Sequence, residues 1–465
     1  MKRFMSILSF AFVAAIAPVV AMAQQPTIPI VDLPMPTARS AEPLGAVLGL
    51  RQGADGKVLV NDALRRQMLV FDTLLANRTV VMDSVEGTST SYGPVPLPLI
   101  PFLGDSSLFV DVKSRTVVVL DGHGRVMRTI ALPRPMDIAF LIGARSGFDA
   151  RGRLVFQGPR VRMGPPDMRM PTPSLDVSDS LLLLRMDFDT RRVDTIARVA
   201  RPVMKLTTQK SSGGAVYTVI ARDPLRPVDD WSVAANGSVA IVRGHDYRVD
   251  WVDGDAPLRS GARIPLDWKR LTEDDKRRLD DSLRTAQDSL LASGYSSAET
   301  VMRSGGPCGA PGGGRGDPGD PGGGGRGGGR SGGGGGPPPP AGGSGCLQVL
   351  SAVAPLVGPA PMVHEPMPSL ADLKRATPIA DYAEPIKMNA TMPDLDGNLW
   401  ILPRVSTLSK RGELVYDVVN TKGDLFERVR IPGGRAIAGF AQGGVVYLAS
   451  GDMKTGFFLE RTRLP

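Results

Sequence analysis

One short phrase recurs along this chain and limits what it can fold into. At Asp55-Gly56-Lys57-Val58-Leu59-Val60-Asn61-Asp62 a tight turn launches a valine-rich run, and Met68-Leu69-Val70-Phe71-Asp72 returns beside it. Glycine reaches positive φ without a Cβ clash, so Asp-Gly or Asn-Gly before such a run predicts a hairpin. The phrase returns at Gly104-Asp105-Ser106-Ser107-Leu108-Phe109, at Arg151-Gly152-Arg153-Leu154-Val155-Phe156, and at Asn236-Gly237-Ser238-Val239. It closes with Asp396-Gly397-Asn398-Leu399 and Gly443-Gly444-Val445-Val446. Each copy carries an apolar sheet face that it cannot cover alone, so the copies must stack on one another.

The surroundings of the phrase say how. Around the first copy, residues 43–84 hold strands near 46–50, 57–61, 67–72 and 79–83. Four short antiparallel strands in about forty residues make one blade of a β-propeller. Units of the same grammar span 92–133, 136–199, 229–265, 386–431 and 435–464. The third is interrupted over 158–174 by residues rich in Pro, Met and Arg, and residues 205–222 can add a further hairpin. The sixth shows only three strands. A ring escapes an exposed edge when the other end of the chain completes the last blade, so residues 28–33 are predicted to supply the missing outer strand. The expected fold is all-β, a six-bladed β-propeller closed by an N-terminal strand. Low aromatic content, 5%, with Gly 55 and Pro 41, suits short strands joined by many turns.

Between blades 4 and 5 the pattern breaks, over residues 268–385. Thr272 is a good N-cap, Glu273, Asp274 and Asp275 fill a first turn, and Gly294 ends a helix predicted over 272–293. Glycine then dominates 305–345, a tract with too little apolar area to offset its ordering entropy and expected to be disordered. Arg315-Gly316-Asp317 inside it is a by-product of composition. A short helix is expected over 370–376. The two cysteines, Cys308 and Cys346, flank the tract. A lone pair in an exported chain is expected to form a disulfide, with two free thiols as the alternative.

Export is expected because Lys2 and Arg3 precede an apolar run over residues 4–20 and the small-residue pattern Ala21-Met22-Ala23. That order is a secretory leader cut after Ala23; the alternative is an anchor that stays. The expected organisation is a leader over 1–23, blades 1–4 with the closing strand over 24–267, the insertion over 268–385, and blades 5–6 over 386–465. No later run has spanning length, so the mature chain is expected to lack a transmembrane segment and to reside in the periplasm or outside the cell. Formal net charge is +8, part of it in the leader and the rest mostly scattered arginine. Scattered charge makes no groove-sized stripe, which argues against nucleic acid.

The segment Trp231-Ser232-Val233-Ala234-Ala235-Asn236-Gly237-Ser238-Val239-Ala240-Ile241-Val242-Arg243 with Tyr247-Arg248-Val249-Asp250-Trp251-Val252, taken with the repeated turns, resembles the exported six-bladed propellers of the NHL and TolB-like superfold. The resemblance covers most of residues 43–465. It implies the fold and is nearly silent about chemistry, because propellers host binding modules, hydrolases, lyases and lactonases alike. Metal-dependent lactonases of this architecture gather carboxylates and amides around the central tunnel, which by position implies Asp137, Asp230, Asn389 and Asp394. The sequence itself offers no nucleophile elbow, and none of His123, His245 and His364 has a second histidine at ligand spacing. The expectation is therefore a binding or scaffold protein, monomeric and without cofactor, recognising a protein, glycan or small molecule at one face of the ring. Asp137, Asp230, Trp231 and Asp394 are its candidate tunnel-mouth residues. The alternative is a hydrolase or lactonase with calcium or zinc in the tunnel.

Overall fold

The computed structural model describes residues 28–465 except 85–90, 94–95, 112–113, 115, 133–140, 142–144, 159–160, 164–174, 178–179, 202–203, 211–215, 223–226, 280, 282–284, 286–378, 405–407, 409–411 and 453. The expected leader, Asp137, Cys308 and Cys346, the glycine-rich tract and the helix expected over 370–376 lie outside the described residues.

Two short strands come first, β1 (Ile30–Asp32) and β2 (Ala38–Arg39). Blade 1 is β3 (Val47–Gln52), β4 (Val58–Asp62), β5 (Gln67–Phe71) and β6 (Arg78–Met82). Blade 2 is β7 (Leu99–Pro101), β8 (Ser107–Asp111), β9 (Thr116–Leu120) and β10 (Val126–Ala131). Blade 3 begins with β11 (Ser146–Phe148) and β12 (Leu154–Gln157), is interrupted by the hairpin β13 (Val161–Met163) and β14 (Leu175–Val177), and resumes with β15 (Ser180–Met186) and β16 (Val193–Ala200). A second hairpin, β17 (Met204–Lys210) and β18 (Val216–Arg222), leads to blade 4: β19 (Asp230–Val233), β20 (Val239–Arg243), β21 (Arg248–Val252) and β22 (Arg259–Arg263). Blade 5 is β23 (Ile386–Pro393), β24 (Leu399–Pro403), β25 (Leu414–Val419) and β26 (Leu425–Ile431), and blade 6 opens with β27 (Arg435–Ala441), β28 (Val445–Asp452) and β29 (Gly456–Arg463).

All six copies of the recurrent phrase fall on the turn between the first and second strands of a blade. Their acidic or amide residue organises the turn locally. Asp149 Oδ1 accepts from the amides of Arg151 and Arg153, and Asp394 Oδ1 does the same for Asp396 and Asn398. Gly237, at φ +83, shows why the following position must be glycine: a Cβ there would sit 2.0 Å from Ala150 N, in the turn of the neighbouring blade.

The second strand of each blade is buried on both faces, and its alternation assigns consecutive residues to opposite neighbours. In β4, Leu59 packs toward Leu99 and Phe109 of blade 2, while Val58 and Val60 pack toward Tyr447 of blade 6. In β12, Val155 meets Trp231 and Ile241 of blade 4, whereas Leu154 and Phe156 meet Leu108 and Val119 of blade 2. In β24, Trp400 meets Phe440 of blade 6, while Leu399 and Ile401 meet Tyr247 and Trp251 of blade 4. Among the described residues six apolar clusters arise, each shared by two adjacent blades, and the one joining blades 6 and 1 closes the ring. The chain is thus a six-bladed β-propeller.

The closing strand differs from the expected one. β2, not residues 28–33, pairs antiparallel with β29 as the fourth strand of blade 6, in register Ala38↔Arg461 and Arg39↔Glu460. β1 instead runs parallel to β26 and adds a fifth strand to blade 5. Pro34 and Pro36 between them have no amide to donate, so the ladder cannot continue and the segment crosses from one blade to the next. Thr462 Oγ1 donates to Pro34 O at the crossing, and Leu33 fills the cluster between blades 5 and 6.

The antiparallel order sends alternate connections to opposite faces of the ring. One face carries the turns between first and second strands and between third and fourth strands, each three to six residues long. The other carries every long connection: residues 40–46, 83–98, 132–145, 158–179, 201–229, 264–385 and 404–413. Among the described residues of the largest one, 273–279, 281 and 285 are helical, within the helix expected over 272–293. Thr272 Oγ1 accepts from the Asp275 amide, and Asp275 Oδ2 accepts from the Thr272 amide, a reciprocal cap. Both ends of this insertion are zipped together: Leu271 N donates to Asp381 O at 2.7 Å, Ala383 N to Lys269 O at 3.0 Å, and Lys276 pairs with Asp381.

Candidate functional site

The first strands of the blades face the ring's axis, and there the structure places Asp230. Arg145, just before β11, donates through one terminal nitrogen to Asp230 Oδ2 (3.2 Å), Trp231 O (2.6 Å) and Thr391 Oγ1 (2.6 Å). Thr391 in turn donates to Asp230 Oδ2 from its amide (2.9 Å) and its hydroxyl (2.7 Å). One guanidinium therefore ties together the inner strands of blades 3, 4 and 5. Behind it, buried Arg201 donates to Asp229 O, and desolvation lowers its affinity for a proton despite Asp230 nearby. Asp230 Oδ2, accepting three hydrogen bonds, acts here as an internal tie.

The other candidates lie elsewhere. Trp231 is fully buried in the cluster between blades 3 and 4. Asp394 caps its turn on the opposite face of the ring, with Oδ2 accepting from Trp400 Nε1 at 3.0 Å. Asn389, at φ +64, lies in the irregular part of β23. The structure does not bring these residues together, and among the described residues no three His, Cys, Asp or Glu side chains are grouped to hold a metal ion. His123 sits in a turn 4.0 Å from Asp55, and His245 is exposed beside Asp246.

A site that the sequence did not suggest lies on the face of the long connections. Between the helical residues 273–279, the returning stretch 379–384 and Arg404 is a cleft of about 270 Å³. Leu271, Leu279 and Ile379 give it apolar walls, and Lys269 and Arg278 stand at its rim, both paired to Asp275. These partners and the Thr272 cap hold Asp275 well below the usual carboxylate range. Glu384, 5% exposed, lines the cleft. Its Oε2 accepts from Arg404, but its Oε1 has no hydrogen-bond partner. Desolvation pushes its carboxyl up to about 7, against the pull of Arg404 and, more weakly, Lys387. A strongly perturbed acid in a cleft makes this a candidate site. Glu384 stands in Ala383-Glu384-Pro385 with nothing local to single it out, and its partner is twenty residues away.

No family model matches the chain, and no curated protein does. Among solved structures, the chain is similar to a member of the DUF4221 family from Bacteroides vulgatus, at 9% identity and a TM-score of 0.31 over 93% of this chain and 97% of that one. It is also similar to virginiamycin B lyase from Staphylococcus aureus, at 11% identity and a TM-score of 0.24 over 48% of this chain and 71% of that one. A gluconolactonase from Xanthomonas campestris gives 14% identity and a TM-score of 0.22 over 50% and 82%. Similarity at this level speaks neither to substrate nor to activity.

Proposed function

We propose that this chain is an exported binding protein whose recognition surface is the face bearing the long connections. One observation carries the reading: every connection longer than six residues leaves the ring on that side, while the opposite side is reduced to tight turns. Rigid scaffolds hold their variable, recognising segments in this way. The leader-like residue order over 1–23 supports export, and the engagement of Asp230 with Arg145 and Thr391 favours an internal tie over a metal ligand. The metal-assisted hydrolase is the second reading.

The test is to block each face in turn. p-Azidophenylalanine at His245 lies on the face of long connections, and at Lys422 on the turn face; each takes a large polyethylene glycol chain. Peptides, glycans and metabolites that the unmodified protein retains on an array should be lost after blocking at 245 and kept after blocking at 422. The reverse pattern would overturn the reading. The exported product should begin at Gln24, and a retained leader would count against secretion. Turnover of lactones or esters that disappears in Asp230→Ala would establish the hydrolase instead.

A further inference from the structure

The large polar aromatics of this chain fall into two groups. Trp231, Trp251 and Trp400 are each at most 1% exposed, and so are Tyr92, Tyr247, Tyr416 and Tyr447. Trp268 and Tyr382 are 41% and 50% exposed, and both stand at the two-stranded ribbon that closes the base of the 264–385 connection. There Arg270 lies directly opposite Tyr382 in an antiparallel bridge, with Leu271 N donating to Asp381 O and Ala383 N to Lys269 O on either side. Strand alternation puts Trp268, two residues before Arg270, on the same side of the ribbon and diagonal to Tyr382, about 7–8 Å away. Two water-facing rings are thus held on a fixed frame, which spares a ligand part of the ordering cost of binding.

The charges nearby answer one another. Lys269 and Arg278 pair with Asp275, Lys276 with Glu273 and Asp381, and Arg277 with Asp274, four cations against four carboxylates. Arg270 and Asp267 add one charge of each sign. Guanidinium donors and carboxylate acceptors therefore flank the rings without an excess of either sign. We infer that this ribbon binds a neutral glycan, with sugar rings laid on Trp268 and Tyr382 and hydroxyls directed to Arg270 and Asp381. A pyranose has a face of C–H groups, which suits the negative face of an aromatic ring, and a rim of hydroxyls that donate and accept. Two half-exposed rings of about 150–250 Å² each fall short of the roughly 800 Å² per side of a standard protein interface, but match a few sugar units. The inference rests on the binding reading and deepens it, since the ribbon belongs to a long connection on the proposed recognition face.

Trp268 is the one exposed tryptophan of four, so emission open to acrylamide quenching belongs to it. The full chain is titrated with four six-unit oligosaccharides: cellohexaose and maltohexaose, both neutral, anionic hexagalacturonate, and cationic chitosan hexamer. At least one neutral hexamer should shield Trp268 saturably, and about tenfold more tightly than either charged one. By calorimetry, Trp268→Ala and Tyr382→Ala should each weaken that hexamer about tenfold, while Tyr382→Phe, which keeps the ring, should stay within about threefold. Phe426→Ala, which removes a comparably exposed ring on blade 5, should leave the affinity unchanged. The inference is overturned if neither neutral hexamer binds saturably, if a charged hexamer binds as tightly, or if both alanine variants keep wild-type affinity. Shielding of Trp268 by a proline-rich peptide and by neither neutral hexamer would assign the ribbon to a protein partner instead. The reading of the face as a whole would survive these failures, because it is tested by blocking at position 245.

Discussion

The tie at the ring's axis makes a quantitative claim about Arg145 and Asp230. The Asp230 side chain is 3% exposed and that of Arg145 is 22% exposed. Replacing Arg145 by methionine keeps the apolar stem and leaves a buried carboxylate answered only by the two Thr391 donors, with Arg201 as the remaining nearby cation. Breaking a buried pair from one side costs about 3–5 kcal/mol, and the surviving Thr391 bonds place Arg145→Met near 3. Asp230→Asn leaves the cation partly in water and should cost about 2 kcal/mol through lost charge-assisted bonds. In the double variant no charge is stranded, so its cost should also stay near 2 kcal/mol, giving a coupling of about 3 kcal/mol. Equilibrium urea unfolding followed by tryptophan fluorescence reads this directly, since Trp231 adjoins Asp230 on β19. Single variants each within about 0.5 kcal/mol of wild type, or a double variant equal to the sum of the singles, would refute the tie.

Glu384 should leave a signature in the pH dependence of stability. Its folded value of about 7 lies above the unfolded 4.5, so the folded state binds the proton more tightly and stability rises as pH falls from about 7 toward 4.5. Relative to Glu384→Gln, wild type should gain about 3 kcal/mol between pH 7.5 and 4.5, and urea midpoints that shift in parallel for the two proteins would contradict this. Two glycines with positive φ should respond differently to alanine. Gly104, with nothing within 4 Å of an added Cβ, should lose about 1 kcal/mol, while Gly237, aimed at the Ala150 backbone, should lose 3 kcal/mol or more; equal losses by calorimetry would count against the close blade contact. Removing residues up to 44 should bare the edges of β26 and β29 and cause aggregation on size exclusion, whereas removal up to 34 should leave elution close to that of the intact chain. Equal behaviour of the two truncations would assign closure to some other segment.

What could be read from the sequence was local. Asp149 with Arg153 and Asp394 with Asn398 place a turn-forming carboxylate four residues before the amide it accepts from, and the valine-rich runs alternate with a period of two. Both signals sit within a few residues, so the blades and their number were accessible. The closing strand was less so, because two residues at Ala38–Arg39 are too few to show a period and the stronger alternation lies at Ile30–Asp32, which joins a different blade. The tie of Arg145, Asp230 and Thr391 spans 246 positions, and Glu384 gains its meaning from Arg404 across a hairpin. Chain position put Asp230 and Asp394 in one group; the direction of the strands puts them at opposite ends of the ring.

The stitching of the N-terminal segment onto blades 5 and 6 sets an order of events for the newborn polypeptide. Its first strands wait for β26 and β29, which are synthesised after blades 1–4, so the wheel stays unsealed until both have emerged. Sealing then becomes a single late step, and β29 acts as the latch on which it depends.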